Sequence, residues 1–191
     1  MRTRLLIPSV GLALMGLLTA CGDDESSTLP KGGASQGAHN AQDVGFAQGM
    51  IPHHQQAVEM ADLALAKKVS PQVNGLARQI KAAQGPEIEQ MTEWLQGWGE
   101  DLPGEHGAGH GGAMADGMLS EEQFQALEKA EGKAFEVAFL EGMVAHHEGA
   151  VKMAEDQLAK GQDVRVKALA QAVVSAQTEE IKAMKVLLAK Y

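Results

Sequence analysis

"FAQGMIPHHQQAVEMA" (residues 46–61) and "FLEGMVAHHEGAVKMA" (residues 139–154) are two versions of one segment, and reading them together decides the fold. Shifting the chain by 93 residues aligns Asp43–Leu95 with Glu136–Leu188 without a gap, with 22 identities in 53 positions. A fixed-offset repeat of that length marks a duplicated structural unit. In the first copy Phe46, Met50, His53, Ala57, Met60 and Ala64 recur at alternating steps of four and three, the seam of a packed helix.

Local signals place the ends of the helices. Asn40, with Asp43 three residues on, opens the first, and Ser70 followed by Pro71 turns the chain into the second. In the second copy Gly161 ends one helix and Asp163 caps the next. Each unit therefore reads as a helical hairpin. Two hairpins whose apolar stripes both need partners predict an all-α, four-helix bundle over residues 41–191. Pro52 and Pro86 fall inside the pattern and predict bends that the second copy, with Ala145 and Glu179 there, does not share. Residues 99–118, "GEDLPGEHGAGHGGAMADGM", are too rich in glycine for a helix, and Ser120 with Gln123 then forms a capping box for a short one.

Ahead of the repeat, "MRTRLLIPSVGLALMGLLTAC" has Arg2 and Arg4, an apolar run, and small residues before Cys21. This is the layout of a secretory signal over residues 1–20, too short to be a membrane span. "LTAC" resembles a lipobox, in which cleavage leaves Cys21 lipidated. The expected mature protein is anchored through that lipid and faces the periplasm or the cell exterior, with residues 21–40 as a flexible tether. Removing Arg2 and Arg4 takes the formal charge from −9 to −11, which argues against nucleic acid as a partner. Cys21 is the only cysteine. Once lipidated, it leaves any metal site to His, Met, Asp, Glu or Gln.

A histidine pair at a helix seam is commonly a hydrogen-bonded core feature. Recurrence points toward metal: Met50, His53, His54 and Met60 reappear as Met143, His146, His147 and Met153, while many neighbours have drifted. Positions i, i+3 and i+4 share a helix face, so Met50 can approach both histidines. Folding the hairpin at Ser70 brings residue 53 level with about residue 87. That height holds Glu87 and Met91, on one face with Gln84 and Ile88, and the set recurs as Gln177, Glu180, Ile181 and Met184. Carboxylates at histidine height suit a metal site or its supporting hydrogen bonds, and equally suit buried His–Glu pairs that fix helix register. Thioethers with imidazoles favour Cu(I) and permit Cu(II), while lacking the oxygen-rich shell of calcium or magnesium. His106, His110, Met114 and Met118, every fourth residue along the loop, are further candidate ligands or parts of a plain linker.

The doubled "GMIPHHQQAVEMA" and "GMVAHHEGAVKMA", with "AQGPEIEQM" and "AQTEEIKAM" behind them, resemble the bacterial family catalogued as domain of unknown function three hundred and five, over about Asn40 to Leu188. The resemblance implies a ferritin-like four-helix fold. It also implies an extracytoplasmic copper-binding role in copper resistance, with Met50, His53, His54, Met143, His146 and His147 as ligands. The loop here is poorer in Met and His than in some relatives.

The leading reading is a lipoprotein that sequesters or buffers copper without turnover. A ferritin-like di-iron oxidase would need Glu-x-x-His motifs, and a zincin would need His-Glu-x-x-His; neither motif occurs. A haem-dependent redox protein has no Cys-x-x-Cys-His attachment motif here, although non-covalent haem stays open. A structural envelope lipoprotein, with His–Glu pairs in its core and Trp94 and Trp98 offering an apolar contact, core packing being the commoner role for Trp94, is the remaining alternative.

Overall fold

The computed structural model describes residues 38–104 and 116–191. The expected leader, the expected tether as far as residue 37, and the loop candidates His106, His110 and Met114 lie outside the described residues. Among those described, the chain forms α1 (Ala41–Ala66), α2 (Pro71–Trp98), the short α3 (Glu121–Lys129), α4 (Gly132–Lys160) and α5 (Val164–Leu188). The pairs α1/α2 and α4/α5 are the two hairpins, and with α1 packed on α4 they build the four-helix bundle.

The helix ends follow the sequence signals. The Asn40 side chain accepts from the backbone of Gln42 and Asp43, and the Asp43 carboxylate reaches back to the Asn40 N–H. Ser70 caps α2 ahead of Pro71, Ser120 and Gln123 form a capping box on α3, and Asp163 caps α5. Pro52 and Pro86 lie within α1 and α2, which continue through them without a break. Among the described residues, no helix is long and apolar enough to cross a membrane.

The duplication reappears in three dimensions where α1 meets α4. The Met153 Cε fills the notch left by Gly49, 3.1 Å from where a Cβ would stand, and the Met60 Cε fills that of Gly142 at 3.3 Å. Gly49 and Gly142 are repeat equivalents, as are Met60 and Met153. The two helices therefore run antiparallel and exchange identical contacts, as across a two-fold axis. That axis passes between His53 and His146, equivalents whose rings meet with centroids 3.8 Å apart.

Two apolar clusters lie along the bundle. One gathers Phe46, Met50, Met91 and Trp94 with Ala154 and Leu169; the other gathers Met60, Ile80, Phe135, Phe139, Met143 and Met184. Fully burying one large apolar side chain contributes about 1.5–3 kcal/mol, so the two clusters are a major source of the bundle's stability. On each long helix the residues between the clusters are polar: His53 and His54 on α1, Gln84 and Glu87 on α2, His146 and His147 on α4, Gln177 and Glu180 on α5. At the bundle's two ends, buried carboxylates tie one hairpin to the other's turn. Asp43 accepts from Gln157, Gln162 and Asp163, and Glu136 accepts from Ser70 and Tyr191.

Candidate metal centre

All four helix histidines are fully buried. The two units treat them alike. His54 Nε2 lies 2.7 Å from Glu87, and His147 Nε2 lies 2.7 Å from Glu180, each carboxylate accepting the ring N–H. These Glu side chains remain about one-fifth exposed (22% and 20%), so each pair links the dry interior to the surface. The sequence reading placed a carboxylate at histidine height, and the pairing falls to the second histidine of each motif.

The first histidines face each other across the axis. His53 Nε2 donates to the Asp116 carbonyl at 3.2 Å, which leaves His53 Nδ1 as the unprotonated nitrogen of a neutral ring. Burial, reinforced by the neighbouring His54 and His147, lowers the His53 pKa to about 4. Burial, and after it the other three histidines, lowers that of His146 to about 2. Both rings are therefore neutral at neutral pH, so a cation meets lone pairs without displacing protons.

Unpartnered atoms concentrate in this layer. The Nδ1 atoms of all four histidines, His146 Nε2, and side-chain atoms of Gln84 and Gln177 have no hydrogen-bond partner among the described residues. A buried unsatisfied polar atom costs about 1–3 kcal/mol, and folded proteins leave few of them. Nitrogen donors of this kind fit a borderline or soft cation. They do not form a closed cage: among the described residues, no three His, Cys, Asp or Glu side chains are arranged to hold a metal ion.

The other predicted residues are distributed around the layer. Met50 and Met143, one turn before the histidines, are fully buried and belong to different clusters, one on each side of the layer. Met91 and Met184 are buried in those same clusters. Met60 is buried and Met153 half-buried in the glycine notches between α1 and α4. Met118 is half-buried and lines a surface cleft of about 560 Å³ with Leu119, Glu141 and Ala145. Trp94 packs in the core, while the half-buried Trp98 stacks on His39 at 4.4 Å.

One part of the site carried no sequence signal. Asp116–Leu119 crosses the groove between α1 and α4 as a non-helical strap over His53 and His146. Gln56 grips Leu119 twice, donating to its carbonyl at 2.9 Å and accepting its N–H at 2.8 Å. Gly149 leaves the space in which the Asp116 carbonyl sits, and a Cβ there would collide with it. Gly117, at φ 86°, lies as closely on the Ala145 carbonyl. Lys152 pairs with the Asp116 side chain at the surface.

Residues 43–188 match the family described as "Domain of unknown function (DUF305)". Among solved structures, a DUF305 fragment from Deinococcus radiodurans is 33% identical, with 80% of this chain and 98% of that one covered at a TM-score of 0.71. A DUF305 protein from Streptomyces coelicolor is also 33% identical, covering 78% and 93% at a TM-score of 0.71. CopM in its Cu(II)-bound form is 32% identical, covering 78% and 96% at a TM-score of 0.67, and CopM is also known in a Cu(I)-bound form. No curated protein matches the chain.

Proposed function

The chain belongs to the DUF305 family, and from that premise we propose that it binds copper in the buried histidine layer, sequestering or buffering the ion without turnover. The observation that carries this reading is the set of four buried Nδ1 atoms without partners, contributed symmetrically by the two units. An apolar or fully hydrogen-bonded layer would stabilise the bundle better. Its retention in both copies fits a ligand-binding role. The similarity to CopM, known in copper-bound forms, supports the choice of ion.

In this reading His53, His54, His146 and His147 are the principal donors. Glu87 and Glu180 orient His54 and His147 by accepting their Nε2 protons. Met50 and Met143 supply thioethers that favour Cu(I) over Cu(II). Copper, when bound, contributes an ion to be stored, and the protein's own work is to keep His53 and His146 neutral and all four rings dry and aimed. The signal-like leader and Cys21 would place this store outside the cytoplasmic membrane on a lipid anchor. Labelling with a radioactive fatty acid, lost on Cys21→Ser, tests the anchor.

The competing reading rests on the 2.7 Å His–Glu pairs, which can fix helix register without any metal. Copper titration separates the two. His53→Ala with His54→Ala, and separately His146→Ala with His147→Ala, should each abolish the tight site if the pairs share one ion across the axis. Half the capacity lost in each would mean two sites. Unchanged affinity with a lowered melting temperature would establish the register reading instead.

A further inference from the structure

With the histidines fully buried, an ion in solvent reaches them only if some element moves. The four long helices are held by both apolar clusters, and parting them exposes that core. The strap is held differently. Asp116 and Gly117 lie over the axial pair through one hydrogen bond to His53, one exposed ion pair to Lys152, and close fit against Ala145 and Gly149. Their anchor is Leu119, clamped by Gln56 and buried in an apolar cluster. Segments with few buried apolar contacts open locally at a fraction of the global unfolding free energy.

From this contrast we infer that Asp116–Met118 is a hinged cover over His53 and His146, anchored at Leu119, and that lifting it is the route by which a small cation enters the layer. The cover lies on the axial pair, whereas His54 and His147 have their Nε2 atoms engaged by Glu87 and Glu180. It also breaks the symmetry of the repeat. Gln56 and Gly149 are equivalent positions, and one grips the strap where the other makes room for it.

The test uses metal-free protein and diethyl pyrocarbonate, which acylates accessible neutral imidazoles, with each histidine followed by peptide mass spectrometry. Reclosing faster than acylation makes the rate report the open population. Gly149→Ala places a Cβ where the Asp116 carbonyl sits and should raise acylation of His53 and His146 by about tenfold or more, since losing one or two weak contacts shifts an opening equilibrium by that order. His54 and His147 should lag behind. Gln56→Ala, which releases the anchor without adding bulk, should act in the same direction and decides the matter if Gly149→Ala loses helix content. Equal acceleration at all four histidines, or none in the variant that keeps its helix content, would overturn the cover. The inference takes its meaning from the copper reading, but the acylation involves no copper. Histidines that proved not to bind copper would sink that reading and leave the acylation result standing.

Discussion

The Glu136 carboxylate, at the start of α4, accepts the backbone N–H of Ser70 at 2.6 Å and the Ser70 hydroxyl at 2.8 Å, fastening the second hairpin to the turn of the first. Asp43, its equivalent 93 residues earlier, accepts the N–H of Asp163, the equivalent of Ser70, at 3.1 Å. Burial pushes both carboxyls up, but the hydrogen bonds converging on each outweigh it and hold both below the ordinary carboxylate range. Asp43→Asn and Glu136→Gln keep the shapes and remove the charges. Each should cost about 1.5–3 kcal/mol in urea unfolding, the range for hydrogen bonds to a charged group. Because the two ties lie at opposite ends, the costs should add to within about 0.5 kcal/mol. A smaller combined loss would mean that the two ties are energetically coupled through the bundle.

The neutral histidines give stability a defined pH dependence. His53 titrates near 4 in the folded chain against an ordinary 6.5, and His146 near 2, so the unfolded chain takes up those protons first. Stability is then complete above about pH 6.5 and falls as pH drops toward 4, by about 1.4 kcal/mol per pH unit for each group. Urea midpoints of the metal-free protein should be flat from pH 7 to 8 and clearly lower at pH 5. Replacing both His53 and His146 with Asn should flatten the acid side. A wild-type midpoint that does not move between pH 7 and 5 would show that these rings are not buried neutral.

Two glycines of the repeat helices should respond to alanine with opposite signs. Gly45 is exposed in α1 with nothing within 4 Å of a prospective Cβ, so Gly45→Ala should stabilise by about 0.5–1 kcal/mol through helix propensity alone. Gly149→Ala gains the same propensity but drives a Cβ into a backbone carbonyl, and should lower the melting temperature. Thermal unfolding of the two single variants side by side checks the pair.

Met50→Leu with Met143→Leu preserves volume and apolarity in both clusters, so the unfolding free energy of the metal-free protein should change little, by less than about 1.5 kcal/mol per substitution. Under the copper reading, competition titrations should show Cu(I) affinity falling and Cu(II) affinity falling less. Equal affinities in variant and wild type would confine both methionines to packing.

Much of this was legible in the chain because it is local or periodic. The caps at Asn40, Ser70, Ser120 and Asp163 depend on neighbours within three residues, and the hairpin register that brings Glu87 to histidine height follows from helical rise alone. The meeting of His53 with His146 was not legible. It depends on how two hairpins far apart in sequence cross, which no periodicity encodes. The same holds for the strap. Asp116 acts through its carbonyl, a group every residue possesses, and Gly149 acts through a missing atom, so neither differs in sequence from ordinary loop or helix composition.

The difference between Gln56 and Gly149 also bears on why two hairpins occupy one chain. A symmetric pair of identical hairpins would present the same residue at both places, giving two grips with no room or room with no grip. Covalent fusion lets a single gene write different letters at the two positions, so inheritance can fix a one-sided entrance on a scaffold that is otherwise a mirror of its own past.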